Sequence, residues 1–374
     1  MKPIIAAPAI VFVVYRAWSR KSLTPLGLVV AALTAIAHAF HPFSAPFAFL
    51  AVFFFGGTFV TKIKHDVKSR LTVSSSGSAG GEGPRTHIQV LANSAVATVL
   101  ILLHTRQLYR NEESNISCFP YGEHVLMIGI VANYAAVAAD TYSSELGILS
   151  SSQPRLITSL TLRKVPKGTN GGVTIGGLLA GALGAFTIAV TSLLLPFCPA
   201  SSTDSLAKSG FEGGTGWGLR EKAFWVVAVT AWGTLGSVLD SVLGGLLQAS
   251  VVDKRTGKIV EGAGGRKVLV HPGEAIATGL EEPSNREVTK LRVVENIANV
   301  LTSPPPIITG RRRSSSSSSG ASPDVEHESR KIETGHDILD NNAINVLMAA
   351  SMSLGAMALA CYVWDVPLSS VLIS

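Results

Sequence analysis

The sequence predicts an all-α fold: a polytopic integral membrane helical bundle of about seven to eight transmembrane helices, with a cytosolic loop insertion. Three observations point there. Of the 374 residues, 47% are hydrophobic and only 15% charged, and the mean hydropathy is +0.37. The apolar residues come in blocks of about 20, the length needed to cross a hydrocarbon core, rather than as stripes on amphipathic helices. Lys and Arg gather in alternate loops, as they do in chains threaded repeatedly through a membrane.

The first block, "PIIAAPAIVFVVY" from Pro3 to Tyr15, is short for a span and has no small-residue cleavage site after it, so it reads as a signal anchor or half-span. Seven spans come after it, at roughly 24–40, 43–61, 88–104, 124–140, 172–197, 223–251 and 343–363. Arg16, Arg20 and Lys21 precede the first of these. Lys62, Lys64, Lys68, Arg70 and Arg85 follow the second, and Arg155, Arg163, Lys164 and Lys167 follow the fourth. Those loops are assigned to the cytosol. "HAFHP", "NEESNISCFPYGE" and "CPASSTDS" fall on the other side, although Lys208, Arg220 and Lys222 run against that assignment. The expected setting is an endomembrane such as the endoplasmic reticulum, with the bilayer as partner, no nucleic acid, and an open oligomeric state.

Between the spans, residues 74–84 ("SSSGSAGGEGP" within them) form a flexible linker by composition, and residues 301–333 a disordered Pro/Arg/Ser-rich insert. Residues 1–251 make up the transmembrane core, 252–300 a cytosolic loop, and 334–374 the last helix and tail. In the loop, "DKRTGKIVEG" and "GRKVLVHPGEA" read as two short strands around a Gly-containing turn. The run Arg311-Arg312-Arg313 before six serines suits phosphorylation, because phosphate pairs strongly with arginine; a solvated low-complexity insert is the plainer reading. Asn115-Ile116-Ser117 is a glycosylation sequon beside Cys118. Glycosylation and a Cys118–Cys198 disulfide stand against an unused sequon and two free thiols, and Cys361 reads as a packing residue.

The chemistry concentrates at span ends. Helical phase puts Asn133, Asp140, Ser144 and Gly147 on one face, with Ser143 beside them and Glu145 turned away. In "AWGTLGSVLDSVLGGLLQAS", Gly233, Gly236, Ser237, Asp240 and Gly244 share a face. Small residues there suit helix packing. A carboxylate deep in an apolar run needs a partner or a water-filled cavity, which makes Asp240 a functional candidate. Between the two helices, "RKVPKGTNGGVTIGG" sets Arg163, Lys164 and Lys167 before Gly168, Thr169, Asn170, Gly171 and Gly172 at a helix start, a pattern that suits phosphate. It matches neither a P-loop nor the dinucleotide fingerprint. Lys62, Lys64 and Lys68 read as a solvated basic face or a lipid-headgroup contact. Gln89 with Asn93, and Asp337 with Asn341, Asn342 and Asn345, add polar clusters that alone would be caps or interhelical hydrogen bonds. So many on one side imply a polar cavity open to the cytosol.

Seven segments in order, "KSLTPLGLVVA", "GGTFVTKIK", "QVLANS", "ADTYSSELG", "VPKGTNGGVT", "GSVLDSVLGGLLQ" and "LDNNAIN", resemble the transmembrane protein 19 family, which includes the plant phytyl-phosphate kinase. The resemblance runs from about Lys21 to Trp364, with the two low-complexity segments as additions. It implies phosphorylation of an isoprenyl monophosphate by a nucleoside triphosphate, CTP preferred. The family is also similar to dolichol and phytol kinases and phosphatidate cytidylyltransferases, with Asp140-Thr141 and the segment Lys164 to Thr169 in the places of their motifs. Lys167 stands where those kinases carry an acidic residue.

The expected mechanism is alignment and charge neutralisation, which is most of what phosphoryl transfer asks of a protein. Asp140 and Asp240 are the catalytic candidates and hold Mg²⁺, a hard ion that prefers oxygen. Lys164, Lys167 and residues Gly168, Thr169, Asn170, Gly171 and Gly172 cradle the nucleotide. Asn93, Thr141, Ser144, Asn341 and Asn342 orient the lipid phosphate, whose prenyl chain stays in the bilayer. The alternatives are a transporter or permease, for which the Asp-bearing helices would be repeat relics, and a non-catalytic membrane scaffold.

Overall fold

The computed structural model describes residues 3–75, 80, 83–110, 125–195, 218–268 and 330–367. Met1–Val268 with Ile332–Ser374 form one compact unit and Leu269–Lys331 another, and the helical bundle belongs to the first. The sequon, Cys118, Cys198, Arg311-Arg312-Arg313 and most of the two low-complexity segments lie outside the described residues.

Nine helices are described: α1 (Pro3–Ser19), α2 (Pro25–Ala39), α3 (Ala45–Lys62), the single turn α4 (His65–Lys68), α5 (His87–Arg110), α6 (Val125–Gly147), α7 (Ile175–Leu194), α8 (Leu219–Leu247) and α9 (Asn341–Trp364). Six of them, α3 and α5 to α9, are long and apolar enough to cross a membrane. The chain is a multi-pass integral membrane protein. Two expectations shift. The N-terminal helix does not stop at Tyr15 but continues to Ser19. The block near 24–40 yields a helix of only 15 residues, about 22 Å of rise against a hydrocarbon core of about 30 Å. Pro25 starts it and the "HPF" segment ends it.

Helix α6 is the axis. Sixteen of its 23 residues are buried, far more than in any surrounding span. The sequence permits this because much of the helix is Ala and Gly, so neighbouring backbones can approach closely. A Cβ placed on Gly184 of α7 would stand 2.5 Å from the Ala138 carbonyl oxygen, and one on Gly233 of α8 2.7 Å from the Ala135 oxygen. Interhelical hydrogen bonds add direction. Trp225 Nε1 donates to Ser192 Oγ at 2.8 Å, and Trp232 Nε1 to the Met352 oxygen at 3.1 Å. Asn133 accepts a long 3.4 Å bond from Ser353. On the α2 side, the His38 ring lies 2.5 Å from the Tyr134 hydroxyl and His41 pairs with His104 at 2.8 Å, all four buried.

At the end where α3, α6 and α8 finish and α5, α7 and α9 begin, short strands gather: β1 (Val73–Ser74), β2 (Arg155–Leu156), β3 (Gly172–Val173), β4 (Ser250–Asp253), β5 (Ile259–Glu261) and β6 (Arg330–Thr334). The order β1-β5-β4-β6 makes one sheet, and β2-β3 another. A hairpin is present in the loop after α8, but it begins earlier than expected. β4 pairs antiparallel with β5, Val251 opposite Val260, and "KIVEG" supplies the second strand rather than the first. Gly257, at φ +67, closes its turn by donating to the Asp253 oxygen at 2.8 Å.

Candidate functional site

The strand-bearing end of the bundle holds a polar cavity of about 230 Å³, walled by the ends of α6, α7, α8 and α9 and by the loop from Gly168 to Thr174. Each wall has a local cause. Thr174 caps α7 by accepting from the Gly177 N–H at 3.0 Å, and Asp340 caps α9 by accepting from Ala343 at 2.9 Å. Both helices therefore start at the cavity rim rather than fraying. The loop takes up two left-handed residues, Gly168 at φ +85 and Gly171 at φ +77. At Gly171 a side chain is excluded twice over, since a Cβ would also lie 2.8 Å from the Gly245 Cα. Asn170 N donates to Ser250 Oγ at 2.9 Å, which ties the loop to β4.

Asp140 and Asp240 both line this cavity, and their carboxyl groups are close enough to interact. Two facing carboxylates repel unless a proton or a cation sits between them. Asn345, with its amide oriented to satisfy both neighbours, donates to Asp240 Oδ1 at 3.2 Å and to the Asn341 oxygen at 3.1 Å, fixing one carboxyl oxygen. Ser144, Gly168, Thr169, Asn170, Gly171, Gly172 and Asn341 complete the expected lining.

Five expected site residues are elsewhere. Lys164 is exposed and does not line the cavity. Lys167 turns away to donate to the Ser150 oxygen at 2.6 Å. Asn93 lines a separate cavity of about 70 Å³ among α1, α2, α3 and α5, where it donates to the Gln89 oxygen at 2.9 Å. Thr141 is buried and points toward Gly57 of α3. Asn342 donates to the Gly264 oxygen at 3.0 Å, clamping α9 to the turn after β5. Asn133, placed on the Asp140 stripe by phase, lies two turns deeper against α9. The loop also offers fewer backbone donors than expected. The N–H groups of Thr169 and Gly172 bond to Pro166 and Thr169 oxygens and that of Asn170 to Ser250, so three of the five are engaged internally.

The fold adds Ser241, Gln248 and Glu261, and includes Ser143, which helical phase sets beside the Asp140 stripe. Glu261 comes from β5, and nothing local in "KIVEG" marks it; only the sheet brings it here. Asn345 was legible as one helical turn beyond Asn341. Among the lining residues the charged ones are Asp140, Asp240 and Glu261, with no Lys or Arg. No group of three His, Cys, Asp or Glu suited to a metal occurs among the described residues. Two facing carboxylates do fit Mg²⁺, which commonly takes one or two protein carboxylates and completes its shell with water and phosphate.

Glu145 points to the far side of α6. Its Oε2 receives Lys68 Nζ at 2.5 Å and its Oε1 the Thr61 hydroxyl at 2.7 Å. Lys68 also donates to the Val60 oxygen at 2.8 Å and the Thr61 oxygen at 3.0 Å. Lys68 is thus buried, not part of a solvated or lipid-facing basic surface. It caps α3 and pins it to α6.

A family model described as integral membrane protein DUF92 matches residues 8–353. Protein PGR of Arabidopsis thaliana is 35% identical over 254 residues, 66% of this chain and 80% of that protein. Protein VTE6, chloroplastic, of the same plant is 31% identical over 152 residues, 41% of each chain. An uncharacterised membrane protein of Methanocaldococcus jannaschii is 52% identical over 75 residues, 20% of this chain and 31% of that one. No solved structure matches.

Proposed function

The chain belongs to the integral membrane protein family DUF92, and we propose that it is a lipid kinase, transferring a phosphoryl group from a nucleoside triphosphate, CTP preferred, to an isoprenyl monophosphate at the cytosolic end of the bundle. One observation carries this reading: a cavity whose charged lining is carboxylate alone, with Asp140 and Asp240 both facing it and the Gly-rich loop among its walls. A bare polyphosphate would be repelled from such a lining; one that arrives with divalent cations would not.

Asp140 and Asp240 would hold Mg²⁺. Bound there, the ion would neutralise charge on the nucleotide's phosphates. Asn345 keeps the Asp240 carboxyl oriented. Ser143 and Asn341 line the space the phosphate oxygens would occupy, Ser144 beside them donates its hydroxyl to the Asp140 carbonyl at 2.9 Å, and the close approach of Gly171 to Gly245 leaves backbone rather than side chain at the loop's edge. In the transfer, an oxygen of the lipid phosphate bonds to the γ-phosphorus and the β–γ bridging bond breaks, leaving a prenyl diphosphate and a nucleoside diphosphate. The protein's task is to hold the two phosphates in line. The resemblance to the family containing the plant phytyl-phosphate kinase supports the acceptor class, and the basic loops at this end support the cytosolic orientation, with an endomembrane such as the endoplasmic reticulum as the setting.

The same lining gives a second reading some support, since carboxylates without fixed cations also suit a cation-coupled transporter. The deciding experiment incubates the purified full chain with labelled CTP or ATP, Mg²⁺ and phytyl, farnesyl or geranylgeranyl phosphate. Transfer that Asp140→Asn lowers by at least about a hundredfold, in protein that remains folded, is the expected result. No transfer to any prenyl phosphate removes the kinase reading, and nucleotide-independent flux in proteoliposomes favours transport.

A further inference from the structure

A third and larger cavity, of about 520 Å³, lies between α6, α8 and α9, the three helices that carry Asp140, Asp240 and Asn345. Its walls are apolar side chains, among them Trp225, Val229, Trp232, Ala356 and Ala360, and its polar residues are Arg220 and Glu221 at the far end of α8. Phe224 and Val363 on its rim are exposed, so it opens sideways, where a bilayer would be. Three of the chain's five tryptophans line it, Trp364 being the third.

It continues the face that bears the polar site. At about 100° per residue, Trp225, Val229, Trp232, Gly236 and Asp240 fall on one stripe of α8, and Asn345, Ala349, Met352, Ala356 and Val363 on one stripe of α9. Trp232 is eight residues from Asp240, about 12 Å of helix rise, and Phe224 is sixteen, about 24 Å. The groove thus covers the stretch that begins about 12 Å below the carboxyl pair. Between the two, α6 and α8 touch, since a Gly236 Cβ would lie 2.6 Å from the Ala136 Cβ, and Met352 stands 3.4 Å from the same point on the α9 side. Methionine is the most readily repacked apolar side chain, so it can make way at that threshold.

We infer that this groove holds the distal part of the hydrocarbon chain of an amphiphile whose phosphate occupies the Asp140/Asp240 cavity, and that it selects long isoprenyl chains over short ones. The inference rests on the lipid-phosphate reading above. The occupant is set by placement. A ligand anchored by its phosphate at the carboxyl pair directs its chain toward the membrane interior, and along these three helices the space that receives it is this groove. A chain of two isoprene units would end near the Met352 threshold. One of four units reaches past it into the groove.

Two measurements test it on the full chain in detergent. The first uses geranylgeranyl phosphate with a photoreactive diazirine at its distal end, without nucleotide. Labelled peptides should map to 224–232 or 356–364, and unlabelled geranylgeranyl phosphate should suppress the labelling. Labels on α1 to α3, labels that no competitor removes, as for bulk lipid, or a groove found covered by a second copy of the chain would each overturn the inference. The second is Ala228→Trp, which fills the groove. The expected result is about a tenfold fall in preference for geranylgeranyl over geranyl phosphate, with Leu179→Trp on the outside of α7 leaving that preference unchanged. Equal losses on both chain lengths, or none, refute selection by the groove. Photolabelling needs no turnover, so the two readings separate: groove labelling without phosphoryl transfer removes the kinase alone, and transfer with labels elsewhere removes the groove alone.

Discussion

Replacing Lys68 with Met should be among the most damaging single changes at the strand-bearing end of the bundle. The Lys68 and Glu145 side chains are 9% and 14% exposed, 2.5 Å apart, and Lys68 also satisfies two carbonyls in the last turn of α3. Methionine keeps most of the volume and removes the charge. It strands a largely buried carboxylate with the Thr61 hydroxyl as its hydrogen-bond donor and leaves two carbonyls without their cap. Breaking a buried pair from one side costs about 3–5 kcal/mol, most of it the uncompensated charge. Glu145→Leu should cost less, because Lys68 keeps its two carbonyls. The double change should cost less than the sum by about 2 kcal/mol or more, since the stranded charge is then gone. Equilibrium unfolding of the detergent-solubilised chain in increasing SDS gives all four corners of the cycle. A Lys68→Met penalty below about 1 kcal/mol, or additive single changes, would mean the pair is solvated and contributes only as a surface ion pair does.

The same geometry sets other outcomes. Gly184→Leu should destabilise by about 1–3 kcal/mol or more, because its Cβ already meets the Ala138 oxygen and α7 must move off α6; thermal unfolding in detergent reads it. Chelation of divalent cations should abolish nucleotide binding measured by equilibrium dialysis, and Asp240→Asn should raise the Mg²⁺ concentration needed to restore it by about tenfold or more. The Arg255 N–H bonded to the Asp253 carboxylate at 2.8 Å holds that carboxyl below the usual aspartate range. Its contribution to the β4–β5 turn is therefore full above the ordinary Asp value and fades as pH falls through the lowered native one. Asp253→Ala should speed hydrogen exchange of the turn amides at pH 7, and protein equilibrated near the lowered value should show little difference from the parent.

The apolar blocks were legible because span length is set by the membrane, and blocks of about 20 residues seldom have another use. The Asp140 and Asp240 faces came from helical phase alone. Phase fixes a direction, however, and not a depth or a neighbour, which is why Asn133 shares the stripe of Asp140 on paper yet meets Ser353 in the bundle. Lys167 shows a different limit. Adjacency to a glycine-rich loop says nothing about which side of that loop a long side chain takes, and here the Ser150 carbonyl decides it. Glu261 was opaque for a third reason, since only the pairing of β5 within its sheet brings it to the cavity; for Glu145 phase gave the direction away from Asp140 but not Lys68, beyond α3, as the partner.

The last helix has a consequence for how the protein is made. Asn133 sits on the middle helix of the chain and its partner Ser353 is 220 residues later; Asn341 and Asn345, which finish the carboxyl site, belong to that same late helix. A ribosome therefore delivers α6, α7 and α8 to the membrane with a polar seam still open, and the seam closes only when α9 arrives. Premature stops between the end of α8 at Leu247 and residue 341 should yield chains that insert yet remain incomplete at the same place, a class of defect that membrane quality control can read as an exposed asparagine rather than as an unfolded domain.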